Sequence, residues 1–174
     1  MEKLHVSYLE TPVGLIKIVA ADQYVVSVAY PRKRSDDEDP NEVTRACMDQ
    51  LSEYFNGSRK VFDVPVRAKG TEFQVSVWEE LMEVPFGTRT TYVELARKLG
   101  DPKFTRAVGL ANSRNRINII VPCHRVVGRD GKLTGYAGGL WRKHWLLKHE
   151  SMVEGITRQL DLFDINNPSD RPIR

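Results

Sequence analysis

The 174-residue sequence predicts an α+β protein. A small N-terminal antiparallel sheet-plus-helix domain, residues 1–70, precedes a C-terminal mostly helical domain with a helix-turn-helix, residues 71–150. Three observations predict this. Strand-like runs rich in Val, Ile and Tyr cluster before residue 31. Helix caps and apolar residues at helical spacing take over after residue 70. Hydrophobic residues make up 41% of the chain, which at this length is enough for a real core.

In order, Leu4–Leu9, Leu15–Val19 and Val25–Tyr30 read as strands, the first pair joined by the turn Thr11-Pro12-Val13-Gly14. A charged loop from Pro31 to Pro40 leads to Asn41, which opens a helix to about Phe55. Val61–Val66 reads as a further strand and Arg67–Gly70 as a linker. Thr71 and Gln74 form a capping box for a helix whose apolar face is Phe73, Val77, Trp78, Leu81 and Met82. Thr91 can cap a short helix, Tyr92–Leu99, closed by Gly100. After Asp101-Pro102 another helix runs from about Phe104 to Asn112, and the pair reads as a helix-turn-helix. The second helix carries Arg106 with Ala107, Gly109 and Ala111, small residues that suit close packing and a DNA groove equally well. Trp141–His149 is the last helix, and residues 151–174 form a tail.

The net charge of +3 conceals a basic middle. Residues 71–150 hold 13 Lys and Arg against 8 Asp and Glu, whereas the flanking blocks are each slightly acidic. Such a surface suits a polyanion, although an ordinary solvated face would look the same. The longest near-apolar stretch, Ile117 to Cys123, is too short to span a membrane. The N-terminus lacks a signal peptide's apolar core, so a cytoplasmic location, or a nuclear one in a eukaryote, is expected. Two distant cysteines, Cys47 and Cys123, make neither a disulfide framework nor a paired-cysteine zinc site.

The chemistry concentrates in Ile117-Asn118-Ile119-Ile120-Val121-Pro122-Cys123-His124-Arg125-Val126-Val127. A buried apolar run delivers one cysteine beside one histidine. A thiol titrating near ~8.5 needs a neighbouring base or cation to become a competent thiolate at neutral pH. His124 can be that base if a third group orients it, and Glu150 is the candidate carboxylate. A small buried hydrophobe is the plainer account of Cys123. The glycine-rich Thr134-Gly135-Tyr136-Ala137-Gly138-Gly139 lacks the Gly-Lys-Ser/Thr of a nucleotide loop. It would let backbone approach a flat ligand with Tyr136 as a stacking wall.

These residues resemble the O6-alkylguanine-DNA alkyltransferases. Val-Pro-Cys-His-Arg-Val-Val matches that family's active-site motif, and Tyr-x-Gly-Gly follows at the family spacing. Arg-Ala-Val-Gly and Tyr-x-x-Leu-Ala precede it, and Trp-Leu-Leu-x-His-Glu closes the domain. Residues 71–150 carry the likeness strongly and residues 1–70 in outline. The resemblance implies a single-use repair protein, monomeric and without a cofactor. It would bind duplex DNA through the minor groove and flip out the alkylated base. It would then move the alkyl group from guanine O6, or from thymine O4, to its own cysteine. The competing readings are a lesion-sensing DNA binder with an inert thiol and a thiol hydrolase that turns over.

The resemblance also assigns roles. Cys123 would be the acceptor, His124 the water-mediated base and Glu150 its orienting partner. Asn115 would be the hinge between recognition helix and active-site strand. Tyr92 would press on the flipped nucleotide's phosphate and help protonate the leaving guanine. Arg106 would fill the gap in the stack, with Ala107, Gly109, Ala111, Arg116 and Arg125 along the DNA. Val126, Tyr136, Ala137, Gly138 and Lys143 would build the pocket. The chain departs from the family at Asn115-Arg116, where Asn-Pro is usual, and at Ala137, where some relatives have serine. Some relatives bind an N-terminal zinc; none is expected here. In the tail, Gln159-Leu160-Asp161-Leu162-Phe163 looks like a sliding-clamp-binding pentapeptide, with Gln159, Leu160, Leu162 and Phe163 as contacts. Folding of those apolar residues back onto the body is the alternative.

Overall fold

The computed structural model describes residues 2–155. The tail segment Gln159–Phe163 lies outside them. Strands β1 (His5–Thr11), β2 (Gly14–Ala20) and β3 (Val25–Ala29) form an antiparallel meander in the order β1-β2-β3. Tyr8 faces Lys17 across the first pair, and a register shift at Val19/Ala20 bends the second. The tight turn into β2 needs a positive φ at Gly14 (96°), which costs glycine no Cβ clash. Helix α1 (Glu42–Phe55) packs on the sheet, burying Cys47, Leu51 and Tyr54. Its N-terminus is a capping box between Asn41 and Thr44.

The expected strand at Val61–Val66 does not form. Pro65 has no N–H to give a ladder, and only Val66 bridges to the sheet, parallel to Val25. Val25 N donates to Pro65 O at 2.8 Å, and Arg67 N to Val25 O at 2.9 Å.

Helix α2 (Glu72–Met82) starts at the expected Thr71/Gln74 capping box and buries Val77, Trp78 and Leu81. Strand β4 (Thr90–Thr91) leads directly into α3 (Tyr92–Lys98), capped by Thr91 and Glu94. One 3₁₀ turn, Pro102–Phe104, opens α4 (Thr105–Ser113), completing the helix-turn-helix. The Trp78 indole N–H donates to Ala111 O at 3.0 Å and clips α4 to α2. After a 3₁₀ turn at Cys123–Arg125, strand β5 (Val126–Val127) pairs in parallel with β4. Helix α5 (Leu140–Val153) ends the described chain. No described helix is long and apolar enough to cross a membrane.

One continuous apolar core runs through both halves, from Val13, Ile16 and Tyr54 to Val77, Leu95 and Leu146. The seam between them is also hydrogen-bonded. Val28 N donates to Arg116 O at 2.8 Å, and Asn118 N to Val28 O at 3.0 Å.

Candidate active site

Residues 117–123 do not form the expected active-site strand; they fold as a tight buried loop. Bridges Val28↔Ile117 and Asn118↔Val121 are isolated, and Ile119 has φ 72°. A β-branched residue in that region carries backbone strain of about 1–3 kcal/mol, which the surrounding packing must offset. Asn115 holds the loop in shape: its Nδ2 donates to Val121 O (2.9 Å), and its Oδ1 accepts from Ile117 N (2.9 Å). Asn118 Nδ2 ties the loop to Val28 O of the sheet at 2.8 Å.

Cys123 emerges from this loop 3% exposed. Its Sγ donates to Asn118 Oδ1 at 3.9 Å. Burial pushes the thiol up from its ordinary value, while Asn115 and the Lys143 charge pull it partly back. The resting sulfur is therefore a thiol that needs a base.

His124 is fully buried, with Nε2 2.7 Å from Glu150 Oε1. A carboxylate only accepts, so Nε2 carries the hydrogen and Nδ1 keeps its lone pair. That Nδ1 has no partner among the described residues. Burial lowers the imidazole's proton affinity, against the pull of Glu150, and keeps the ring neutral.

Glu150 is 1% exposed. Burial alone would raise its carboxyl, but His124 and Arg125 overcome this and hold it well below the usual carboxylate range. Arg125 Nε and Nη2 reach it at 3.0 and 3.1 Å, Tyr54 Oη at 2.8 Å, and Gly87 N at 3.0 Å. Sequence reading placed Arg125 on the DNA. The structure corrects this: Arg125 is 6% exposed, forked onto Glu150, and bonded to Val84 O at 2.5 Å. The sequence assigns Tyr54 no role here, because it lies 96 residues from Glu150.

The β4–β5 pairing sets Tyr92 beside this centre. Tyr92 Oη donates to Thr134 O at 3.0 Å, bridging α3 to the glycine-rich loop. Lys143 is buried beneath the loop, donating to Thr134 O (2.8 Å) and Gly135 O (3.2 Å), 5.9 Å from the Tyr92 ring. Burial pushes its ammonium down to about 8. Tyr136 is half-buried, its hydroxyl 2.8 Å from that of Tyr30 on the sheet side. Gly138 is buried against the Tyr30 ring, where a Cβ would come within 2.6 Å, so only glycine fits. Val126 is buried in β5, whereas Ala137 at the loop's tip is exposed.

Two family models match this chain. The 6-O-methylguanine DNA methyltransferase DNA-binding domain covers residues 72–152, and the ribonuclease-like domain of the same family covers residues 4–68. The chain belongs to the 6-O-methylguanine DNA methyltransferases. It is 46% identical over 153 residues to the methylated-DNA–protein-cysteine methyltransferase of Methanosarcina acetivorans, covering 84% of this chain and 98% of that one. The crystal structure of Mycobacterium tuberculosis O6-methylguanine methyltransferase superposes with a TM-score of 0.79 at 37% identity, over 93% of this chain and all of that one. The same organism's protein in complex with DNA gives 0.79 at 39% identity, over 86% and 94%.

In this methyltransferase the α4 residues divide. Arg106 and Ala107 are exposed, and Gly109 is half-buried over the Tyr92 ring. Ala111, expected on the DNA, is 1% exposed; its carbonyl faces the Trp78 indole, so it packs inward. Leu110, not singled out from sequence, is 56% exposed on the outer face. Arg116 is exposed. Cys47 is buried in α1, its thiol pushed up to about 12 by that burial, as suits an inert packing residue.

Proposed function

We propose that the chain repairs alkylated duplex DNA by moving one alkyl group from guanine O6 to Cys123, once per molecule. The observation that carries the reading is the buried His124–Glu150 pair directly after the buried Cys123. A thiol stands next in sequence to a neutral imidazole whose Nε2 is pinned by a carboxylate and whose Nδ1 lone pair is free. The thiol proton passes to His124 Nδ1, through a water. The thiolate sulfur then bonds the alkyl carbon as the carbon–O6 bond breaks. Guanine leaves with a proton that Tyr92 helps supply. The imidazolium formed is balanced by Glu150, which Arg125 and Tyr54 keep ionised and in place.

The target oxygen is unreachable inside a base stack, so the nucleotide must flip out, with Arg106 filling its place. Ala107, Gly109 and Leu110 let α4 approach the minor groove, and Arg116 meets a phosphate. Tyr136, Val126, Ala137 and Gly138 form the base pocket, held by Lys143. Ala137 has no hydroxyl, so a backbone N–H in this loop must serve O6. Thymine O4 would be a poorer donor in the same pocket. A single copy of the chain supplies every group named, which suits a monomer. The tail pentapeptide Gln159–Phe163 would dock a sliding clamp; Leu162→Ala with Phe163→Ala should abolish capture by the clamp.

The deciding experiment is intact and peptide mass spectrometry after incubation with a duplex bearing one O6-methylguanine. One methyl on the Cys123 peptide, never more than one event per molecule, and none on Cys123→Ala is the expected result. Binding with Cys123 left free would leave the lesion-sensor reading, and repeated turnover would leave the hydrolase.

A further inference from the structure

A cavity of about 660 Å³ opens where α4 ends, away from the glycine-rich loop. It is lined by Lys69, Gly70, Gln74, Trp78 and the run Ser113 to Arg116. Three of these residues are cations and none is a carboxylate. Lys69, Arg114 and Arg116 are all exposed, and none forms an ion pair among the described residues. Elsewhere cations such as Lys60 and Arg59 do find carboxylates. Three unpaired like charges on one concave surface repel one another, and an anion relieves that repulsion.

The cavity continues the outward face of α4. At ~100° per residue, Arg106, Leu110, Ser113 and Arg114 share one arc of the helix, and all four are exposed. Val108, Ala111 and Asn112 fill the opposite, buried arc. Eight residues at ~1.5 Å each put Arg114 about 12 Å along the axis from Arg106. The minor groove is only ~6 Å wide. A helix with Arg106 over the groove therefore carries Arg114 beyond its wall, onto the sugar–phosphate backbone.

The mounting is firm as well. Arg114 N donates to Ala111 O at 3.1 Å, Arg116 O accepts from Val28 N at 2.8 Å, and Asn115 between them is fixed through both side-chain groups. The side chains at 114 and 116 thus stand on anchored backbone, and Lys69 closes the cavity from the linker.

We propose that Lys69, Arg114 and Arg116 form a second phosphate-binding site, gripping the duplex backbone just past the C-terminal end of α4. The proposal rests on the DNA-repair reading above and extends its footprint to the linker between the two halves. In place of a rigid proline, Arg116 would give the hinge an electrostatic hold on the strand.

The test is the salt dependence of duplex binding by wild type and K69A/R114A, with transfer to Cys123 followed in the same samples. Each phosphate contact contributes a slope of about −0.9 in log K against log salt. The double variant should be shallower by about one to two, with transfer slowed at low DNA and unchanged at saturating DNA. K69R/R114K keeps the charges and should restore the wild-type slope. If K69A/R114A melts early, Lys69→Gln and Arg114→Gln are read singly, each expected to lose about 0.9. A wild-type slope in the neutralised variants overturns the site, as does slower transfer at saturation with the slope intact. Failure of the wild type to methylate Cys123 would instead strike the repair reading and leave the slope measurement standing.

Discussion

Glu150 is the residue on which the site turns, and its surroundings make sharp demands. An ionised carboxylate at 1% exposure survives because Arg125 neutralises it and Tyr54, His124 and Gly87 occupy its lone pairs. Arg125→Ala removes the countercharge and leaves the carboxylate buried. It should cost about 3–5 kcal/mol in urea unfolding, far more than loss of an exposed arginine. The pH dependence follows from the same atoms. Glu150 binds its proton more weakly folded than unfolded, so its contribution is complete above its unfolded value of 4.5 and is lost on acidification toward the folded value. His124 is also a poorer base when folded; the unfolded ring protonates first, from about 6.5 downward. Stability should therefore decline from about pH 6.5 and steepen below about 4.5. In His124→Gln the upper part of the decline should shrink to the share of His144, whose buried ring is also a poorer base when folded. Equal urea midpoints for wild type at pH 7 and pH 5 would show that the ring is not held neutral.

At the scale of elements, the glycine-rich loop depends on a strand in the other half of the chain. Tyr30, just past β3, gives Tyr136 its hydroxyl partner and walls Gly138. Arg142 at the start of α5 lies over the Tyr30 ring at 4.7 Å and donates to Val13 O at 2.7 Å, locking the arrangement from below. Tyr30→Phe leaves the Tyr136 hydroxyl short of a partner, at a cost of about 1–3 kcal/mol. A loosened wall should raise transfer from O6-benzylguanine DNA relative to O6-methylguanine DNA; an unchanged ratio would confine Tyr30 to stability. Little of this was legible beforehand, and the division is physical. The capping box at Thr71/Gln74 joins residues three apart and the Thr91 cap adjoins its helix, so local pattern reveals both, and the structure adds Glu94 as the second half of a box at Thr91. The Cys-His motif and Glu150, 26 residues further on, could be read for another reason, as residue types whose chemistry is intrinsic. The Tyr30–Tyr136 contact spans 106 residues, and no periodicity encodes it. Arg125 was misplaced because charge says nothing about which way a side chain points. Val61–Val66 had strand composition, but its proline and its single bridge to Val25 left no ladder to join.

For the whole molecule, these long-range contacts mean that the two halves share one stability. Tyr54 reaches Glu150 from α1, Val28 pairs with Arg116 and Asn118, and Arg142 caps Val13, all across a core with no break. The family outline treats residues 4–68 and 72–152 as separate modules, yet the buried Glu150 carboxylate is satisfied by neither water nor its own module alone. Separate unfolding of the N-terminal part would strand Glu150 without Tyr54 and open the core at Leu51 and Tyr54. Unfolding should accordingly be one cooperative transition, with far-UV and near-UV signals coinciding. Tyr54→Phe tests this directly. It removes one hydroxyl that donates to a buried charge, worth about 1.5–3 kcal/mol, and leaves the ring packing intact. The whole transition should move by that amount, and Cys123 should become more accessible to a thiol reagent although the substitution lies in the other half. Two separated transitions, with only the first displaced, would show that the halves fold independently and that the Tyr54–Glu150 bond is incidental to the site.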